Sequence, residues 1–352
     1  MAVGVLAAAN VALIFGVCGL TPLGDVVAPL TGHFICIGLA AGLALLVRRW
    51  MLAIVAGGSL AALTAHAWLG LAWCCATAPS TTERASLALA AAAGPQALSL
   101  VALNAWDGNR DLERLERYLA SAPADVLVLS EFGPSKRPLL ARLKAAYPYQ
   151  ADCADQWPCS LALLSRLPLE AAGTGRVPSP EARSMPYFIW ARVAGITLVG
   201  THLRRPSRSP WLHERQAAAL ARFVRSIDGP IVLAGDLNTT PWSGAYRMLR
   251  RTTGLNPGRT LVPTWPAWPI ALPQVALDHI LASPDLAYRA AGAGPAVGSD
   301  HLPVWAIIER RPIAIERRQP ITSRLAAARA HLGGELLGDF RGEHVGARDL
   351  RR

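Results

Sequence analysis

Acidic, amide and histidine side chains recur in this chain where short apolar runs end. The clearest case is Ile231-Val232-Leu233-Ala234, which leads into Gly235-Asp236-Leu237-Asn238 and is closed by Pro241. An apolar run of this length bounded by turn residues reads as a buried strand. Asp236 and Asn238 are two apart, so on extended backbone their side chains point the same way. A carboxylate beside a carboxamide suits a hard cation or a phosphoryl oxygen; the same pair also suits an Asx turn. Six further positions repeat the pattern: Asn104, Glu131 and His202 each end a run, Asp278 lies on a later one, and Asp300-His301 precede the last. Residues of these types at one rim of a sheet would fit phosphoester hydrolysis. The phosphodiester is anionic and repels hydroxide, and Mg²⁺ held by one or two carboxylates lowers that barrier. A base near the water and an acid near the leaving oxygen can each add about 10²–10⁴-fold, and an Asp-His pair moves pKa values towards those tasks.

Strands and amphipathic helices must position these groups. Strands are expected at 97–103, 126–129, 161–164, 187–193, 196–201, 231–235, 277–282 and 304–308. The pair 187–193 and 196–201 reads as a hairpin across Ala194-Gly195. Helices are expected at 111–122, where Leu112, Leu115, Tyr118 and Leu119 share a face, and at 136–146, 211–227 and 243–251. Hairpins mixed with strand-helix units argue an α/β domain with a mixed sheet and outer helices.

The first third has a different character. Residues 2–20, 30–47 and 51–78 carry no charge, and each approaches the roughly 20 apolar residues that span a bilayer. The expectation is a membrane anchor over 1–78 with three transmembrane helices and a linker over 79–96. A catalytic domain follows over 97–310, then a basic tail over 311–352. Arg48 and Arg49 between the second and third spans place that loop in the cytoplasm. The chain is then expected in the cytoplasmic membrane with its catalytic domain outside. Net charge is +11, almost wholly from arginine, since Lys136 and Lys144 are the only lysines; with so much alanine, this is weak grounds for nucleic-acid binding. The tail holds ten arginines from Arg310 on against five acidic residues, which fits a solvated segment or one that meets anionic headgroups. No cysteine-histidine spacing suggests zinc.

Six segments together resemble the endonuclease/exonuclease/phosphatase superfamily. They are Leu103-Asn104, Ser130-Glu131-Phe132, Gly200-Thr201-His202-Leu203, Gly235-Asp236-Leu237-Asn238, Leu277-Asp278-His279-Ile280 and Ser299-Asp300-His301. That superfamily includes DNase I-like nucleases, abasic-site endonucleases, neutral sphingomyelinases and inositol-polyphosphate 5-phosphatases. The resemblance covers about residues 97–310 and implies a four-layer α/β sandwich, two central sheets flanked by helices. It implies that Glu131 binds a Mg²⁺ ion (Mn²⁺ as a substitute), with Asn104 and Asp300 completing its surroundings. It further implies that Asp236 orients or deprotonates the attacking water and that Asn238 holds a phosphoryl oxygen. His301 would contact the phosphate, with Asp278 fixing its tautomer, and His202 would contact the phosphate or assist the leaving group.

Three features stand beside that pattern. Arg204, Arg205 and Arg208 follow His202 and form a basic cluster that could meet a phosphate-rich substrate or be a solvated loop. Trp265 and Trp268 lie in a proline-rich loop before Asp278 that could stack a base, contact lipid or pack. Cys153 and Cys159, with five residues between them including Pro158, are spaced for a disulfide in a short loop. No carboxylate partner for His202 is identifiable; Asp152 and Asp155 are the candidates. The expected partners are a phosphoester substrate, nucleic acid or lipid, and the bilayer, with no protein partner. The alternative is a tethered binding domain of the same fold without activity.

Overall fold

The computed structural model describes residues 23–28, 97–153, 160–176, 186–258, 262–269 and 275–311. The chain divides into two compact units, Met1–Arg311 and Pro312–Arg352, and the second lies wholly outside the described residues. Among the described residues, eleven strands build two mixed sheets.

The first sheet has six strands. Its centre is β1 (Ala97–Asn104), parallel to β2 (Val126–Ser130) and antiparallel to β11 (Val304–Arg310). β10 (Leu286–Ala293) lies outside β11, while β4 (Leu161–Ser165) and then β3 (Tyr149–Asp152) extend the other side. The second sheet has five strands in chain order: β5 (Ala171–Arg176), β6 (Pro186–Val193), β7 (Ile196–His202), β8 (Ile231–Asp236) and β9 (Asp278–Ala282). β6 and β7 pair as the expected hairpin, in register from Phe188↔Thr201 to Val193↔Ile196, with Ala194 and Gly195 both at positive φ in the turn.

The two sheets stack face to face. Leu100 and Val128 from the first meet Leu198, Val232, Ala234 and Ile280 from the second in one buried cluster. Each sheet's other face takes helices. α2 (Leu112–Ser121) buries Leu115 and Leu119 against Val101, Leu127 and Leu129, and the Asp111 carboxylate accepts the Arg114 N–H at its start. α3 (Pro138–Arg142), followed by a single 3₁₀ turn, adds Leu139 and Leu143 to the same layer. On the second sheet, α4 (Pro210–Arg225) and α5 (Gly244–Thr253) bury Leu220, Val224, Tyr246 and Leu249 against Val199, Leu233 and Leu281. The layers therefore run helices, sheet, sheet, helices: an α/β sandwich.

A short helix, α1 (Leu23–Val27), joins this second layer. The Asp25 carboxylate accepts the Gly244 and Ala245 N–H groups at 2.6 and 2.9 Å, capping α5.

The expected location in the cytoplasmic membrane, with the catalytic domain outside it, is corrected. Among the described residues no helix is long and apolar enough to cross a membrane. The longest described one, α4, has 16 residues and carries Glu214, Arg215, Arg222 and Arg225, one face being polar. The three expected spans at 2–20, 30–47 and 51–78 lie outside the described residues.

Candidate active site

The polar residues converge where β1 and β2 of one sheet meet β7, β8 and β9 of the other. Asn104 is the last residue of β1, His202 of β7 and Asp236 of β8, and Asp278 opens β9. Glu131 directly follows β2, Asn238 comes two residues after β8, and Asp300-His301 lie in the turn before β11. Local backbone is bent to aim them. Of four described non-glycine residues at positive φ, three are here: Trp106 (53°), Glu131 (50°) and Asn238 (48°). Such conformations cost about 1–3 kcal/mol each and persist where surrounding contacts enforce them. Gly235 shows why the Gly-Asp pair is needed. Its φ is 127°, and a Cβ there would fall 2.2 Å from the Thr201 carbonyl oxygen of the neighbouring strand.

Asp236 is the hub. The Asn104 Nδ2 donates to Asp236 Oδ2 at 2.9 Å and to Glu131 Oε1 at 3.1 Å, tying the two sheets together. Asn238 donates its backbone N–H to Asp236 Oδ1 at 2.7 Å and its Nδ2 to Oδ2 at 3.1 Å. Burial pushes the Asp236 carboxyl above the usual range, and the nearby His301 works against that shift. Asn104 presents its oxygen to the Trp106 N–H at 2.9 Å, so its amide group is a bridge between acids.

Asp278 and His301 form a closed pair. Asp278 Oδ2 accepts from His301 Nδ1 at 2.7 Å and from the Thr264 hydroxyl at 2.6 Å. All three residues are buried. Burial opposes charge on His301, but the Asp278 carboxylate and its hydrogen bond, with Asp236 and Asp300 beyond, outweigh it and raise the imidazole to about 9. Adjacent His279 has the opposite fate: burial takes it down to about 4, and its Nε2 meets the Thr239 carbonyl at 2.8 Å. It is a neutral core group.

The other side of the site is open. His202 Nε2 lies 3.6 Å from Asp236 Oδ2 and 3.7 Å from Glu131 Oε1, with its side chain 22% exposed. These are the carboxylates that the sequence did not reveal as its neighbours. Asp152, one candidate, lies on edge strand β3; Asp155 is outside the described residues. Arg205 Nη2 reaches Glu131 Oε1 at 3.4 Å. Arg204 has no described contact with the acids. Its backbone N–H donates to Gln216 Oε1 at 2.7 Å, and its carbonyl accepts from His213 Nδ1 at 2.6 Å. Cys153 is disulfide-bonded, and Cys159, its expected partner, lies outside the described residues.

Two acids flank Glu131, and one of them the sequence pattern missed. Glu131 Oε2 accepts the Asp107 N–H at 2.8 Å, and burial and then Glu131 raise the Asp107 carboxyl. Asp107 sits in a turn, not at the end of an apolar run, so the rule that found the others passes it by. Asp300 is likewise raised by burial, with Glu131 contributing, and its Oδ1 is buried with no hydrogen-bond partner. Burial also pushes the Glu131 carboxyl up, but His202, the Asp107 N–H, Asn104 and Arg205 outweigh it and hold it below the usual range. Clustered, hard oxygen donors, with Asp300 Oδ1 free of hydrogen bonds and 4.0 Å from His301 Nε2, fit a divalent cation. Asp236, Asp278 and His301 also bring ligand atoms within 4.8 Å of one another.

Residues 101–301 match the model of the Endonuclease/Exonuclease/phosphatase family. No curated protein matches the chain. Among solved structures, an endonuclease/exonuclease/phosphatase from Beutenbergia cavernae is similar at 22% identity and a TM-score of 0.50, covering 62% of this chain and 73% of that one. A conserved protein of unknown function from Enterococcus faecalis is similar at 14% identity and a TM-score of 0.50, covering 61% and 100%. A 3'-5' exonuclease from Neisseria meningitidis is similar at 22% identity and a TM-score of 0.49, covering 59% and 98%. These likenesses concern the fold, whereas the family match spans more than half the chain and takes in every strand-end residue described above: the chain belongs to the endonuclease/exonuclease/phosphatase family.

Proposed function

We propose that this hydrolase of phosphoester bonds cleaves phosphodiesters by attack of water, with a divalent cation, Mg²⁺ or Mn²⁺, as cofactor. The observation that carries the reading is Asp236: a buried carboxylate held by Asn104 and Asn238, beside an imidazolium held by Asp278. Glu131 and Asp300, with Asp107 beside them, are the residues to hold the cation. Bound there, it would offset the phosphate's negative charge and polarise the phosphorus centre.

The chain's own groups supply the rest. Asp236 orients the water and takes its proton; a carboxyl raised by burial is a stronger base than an exposed one. Three donated hydrogen bonds fix its plane, so it needs no reorganisation when the proton moves. His301 carries its proton at neutral pH and has Nδ1 committed to Asp278, which leaves Nε2–H for a phosphoryl oxygen. Asn238 commits one Nδ2 hydrogen to Asp236 Oδ2 at 3.1 Å. Its Nδ2 also donates to the Leu203 carbonyl at 2.9 Å, which fixes the amide plane. His202, on the open side, contacts the phosphate or assists the leaving oxygen.

The test is the full-length chain assayed on single-stranded DNA, sphingomyelin vesicles and soluble phosphate esters, with Mg²⁺ and with excess EDTA. Hydrolysis of at least one phosphodiester that needs the cation is expected. Undiminished turnover in EDTA would sink the proposal.

A further inference from the structure

Beside the acids stands an aromatic pair. Trp106 and Trp268 meet with ring centroids 5.2 Å apart and planes tilted by 41°. Trp268 is 53% exposed, unusual for so large an apolar side chain. Both are tied to the site. The Trp106 N–H donates to Asn104 Oδ1 at 2.9 Å, and its ring lies over Gly108, where a Cβ would fall 2.7 Å from it. Trp106 holds a left-handed φ of 53°, a conformation a bulky residue keeps only under constraint. Ala267, next to Trp268, donates its N–H to the Asp300 carbonyl at 2.7 Å. The same loop gives Asp278 its Thr264 hydroxyl.

The other side of the mouth is basic. Arg205 leans on Glu131, Arg208 is exposed further along the same loop, and Trp211, 62% exposed, opens the helix α4 that follows. That loop is fixed by buried side chains: Gln216 and His213 hold the Arg204 backbone from α4. An indole pair on one side of a phosphate site and guanidinium groups on the other match a chain that carries both planar rings and phosphates.

We propose that Trp106 and Trp268 form a stacking platform for the base adjoining the scissile phosphate, so that the substrate is an unpaired nucleic-acid strand. The base must be free to leave its own stack, which an unpaired strand permits without opening a duplex. The proposal rests on the reading of Asp236 and its neighbours as the site of phosphodiester cleavage.

The experiment compares a fluorescein-labelled oligothymidine with the same strand built from abasic tetrahydrofuran residues, using the full-length chain in Mg²⁺. Binding is read by fluorescence anisotropy and cleavage by gel. Trp268→Ala should raise both Kd and KM for the base-bearing strand by on the order of tenfold, the scale of one lost stacking contact. The loss on the abasic strand should be much smaller, and Trp268→Phe should recover most of the loss on the base-bearing strand. An equal loss on both strands, no loss on either, or cleavage of sphingomyelin vesicles with both strands left intact would overturn the platform. Base-dependent binding that Trp268→Ala weakens, without any cleavage, would keep the platform and fail the hydrolase reading instead.

Discussion

His202 and His301 both approach Asp236, and they differ in what holds them. His301 is 1% exposed, bonded through Nδ1 to a carboxylate that is itself bonded to Thr264. His202 is partly exposed and stands 3.6–3.7 Å from two carboxylates without a tight bond to either. The first arrangement is complete without substrate, and its charge is set by the protein. The second is left loose, beside Glu131, the carboxylate assigned to the cation. Preorganised charge of the first kind acts without reorganisation. Loose contacts of the second kind tighten only in the complex.

The largest effect is therefore expected on the built side. Asp236→Asn and His301→Ala should each lower kcat by at least about 10²-fold, measured on whichever phosphodiester is cleaved fastest. Circular dichroism should show the fold intact, since both residues lie at a rim beyond the strands' apolar interior. His202→Ala should cost less than either. A loss at His202 equal to that at His301 would erase the distinction between the two sides.

Glu131→Ala tests the open side. It should weaken the apparent affinity for Mg²⁺ by on the order of 10–100-fold, a scale that even groups behind the ligands reach. A titration of activity against Mg²⁺ checks this. An unchanged midpoint with a lowered plateau would remove Glu131 from the cation's surroundings.

The acid–base consequence is sharper. His301 binds its proton more tightly folded than unfolded, at about 9 against 6.5. It therefore adds stability that is fully present below pH 6.5 and fades as pH climbs through about 9. The imidazolium that faces the phosphate is lost over the same upper range, so kcat should fall on an alkaline limb near pH 9. Asp278→Asn removes the carboxylate that raises His301 and should move that limb to lower pH. His202→Gln should leave it in place. A pH–rate profile of the three chains decides whether the limb belongs to the built side.

Much of this was legible in the sequence, and the exceptions share physical causes. Strand-end residues were readable because apolar runs mark buried strands and polar residues end them. The strands passed over, β3, β5 and β10, are all at sheet edges. β5, Ala171–Arg176, has two glycines and no buried residue; the partner strand gives it its conformation. The helix expected from Lys136 starts at Pro138, where proline suits the first turn. Lys136 is instead buried, with no hydrogen-bond partner for Nζ. The neighbours of His202 and the Asp107–Glu131 contact join segments far apart in the chain, and no local pattern encodes them. Asp25 lies between the uncharged stretches 2–20 and 30–47, and nothing local marks that its carboxylate caps a helix more than two hundred residues away.

The smallest expected effect comes from Thr264, which touches no reacting group. Its hydroxyl donates to Asp278 Oδ2 at 2.6 Å, in a fully buried setting. Thr264→Val keeps the shape and removes that donor. One hydrogen bond to a charged group contributes about 1.5–3 kcal/mol, which urea unfolding should detect. Asp278 keeps its bond to His301, so the imidazolium should survive and kcat should fall by less than about tenfold. Thr264→Ser, which restores the donor, should recover the stability apart from the lost methyl group. If Thr264→Val instead lowers kcat as far as Asp278→Asn, the order of support changes. The loop that carries Thr264 would then set the geometry of Asp278, and the built side would depend on that loop as much as on the strands that frame it.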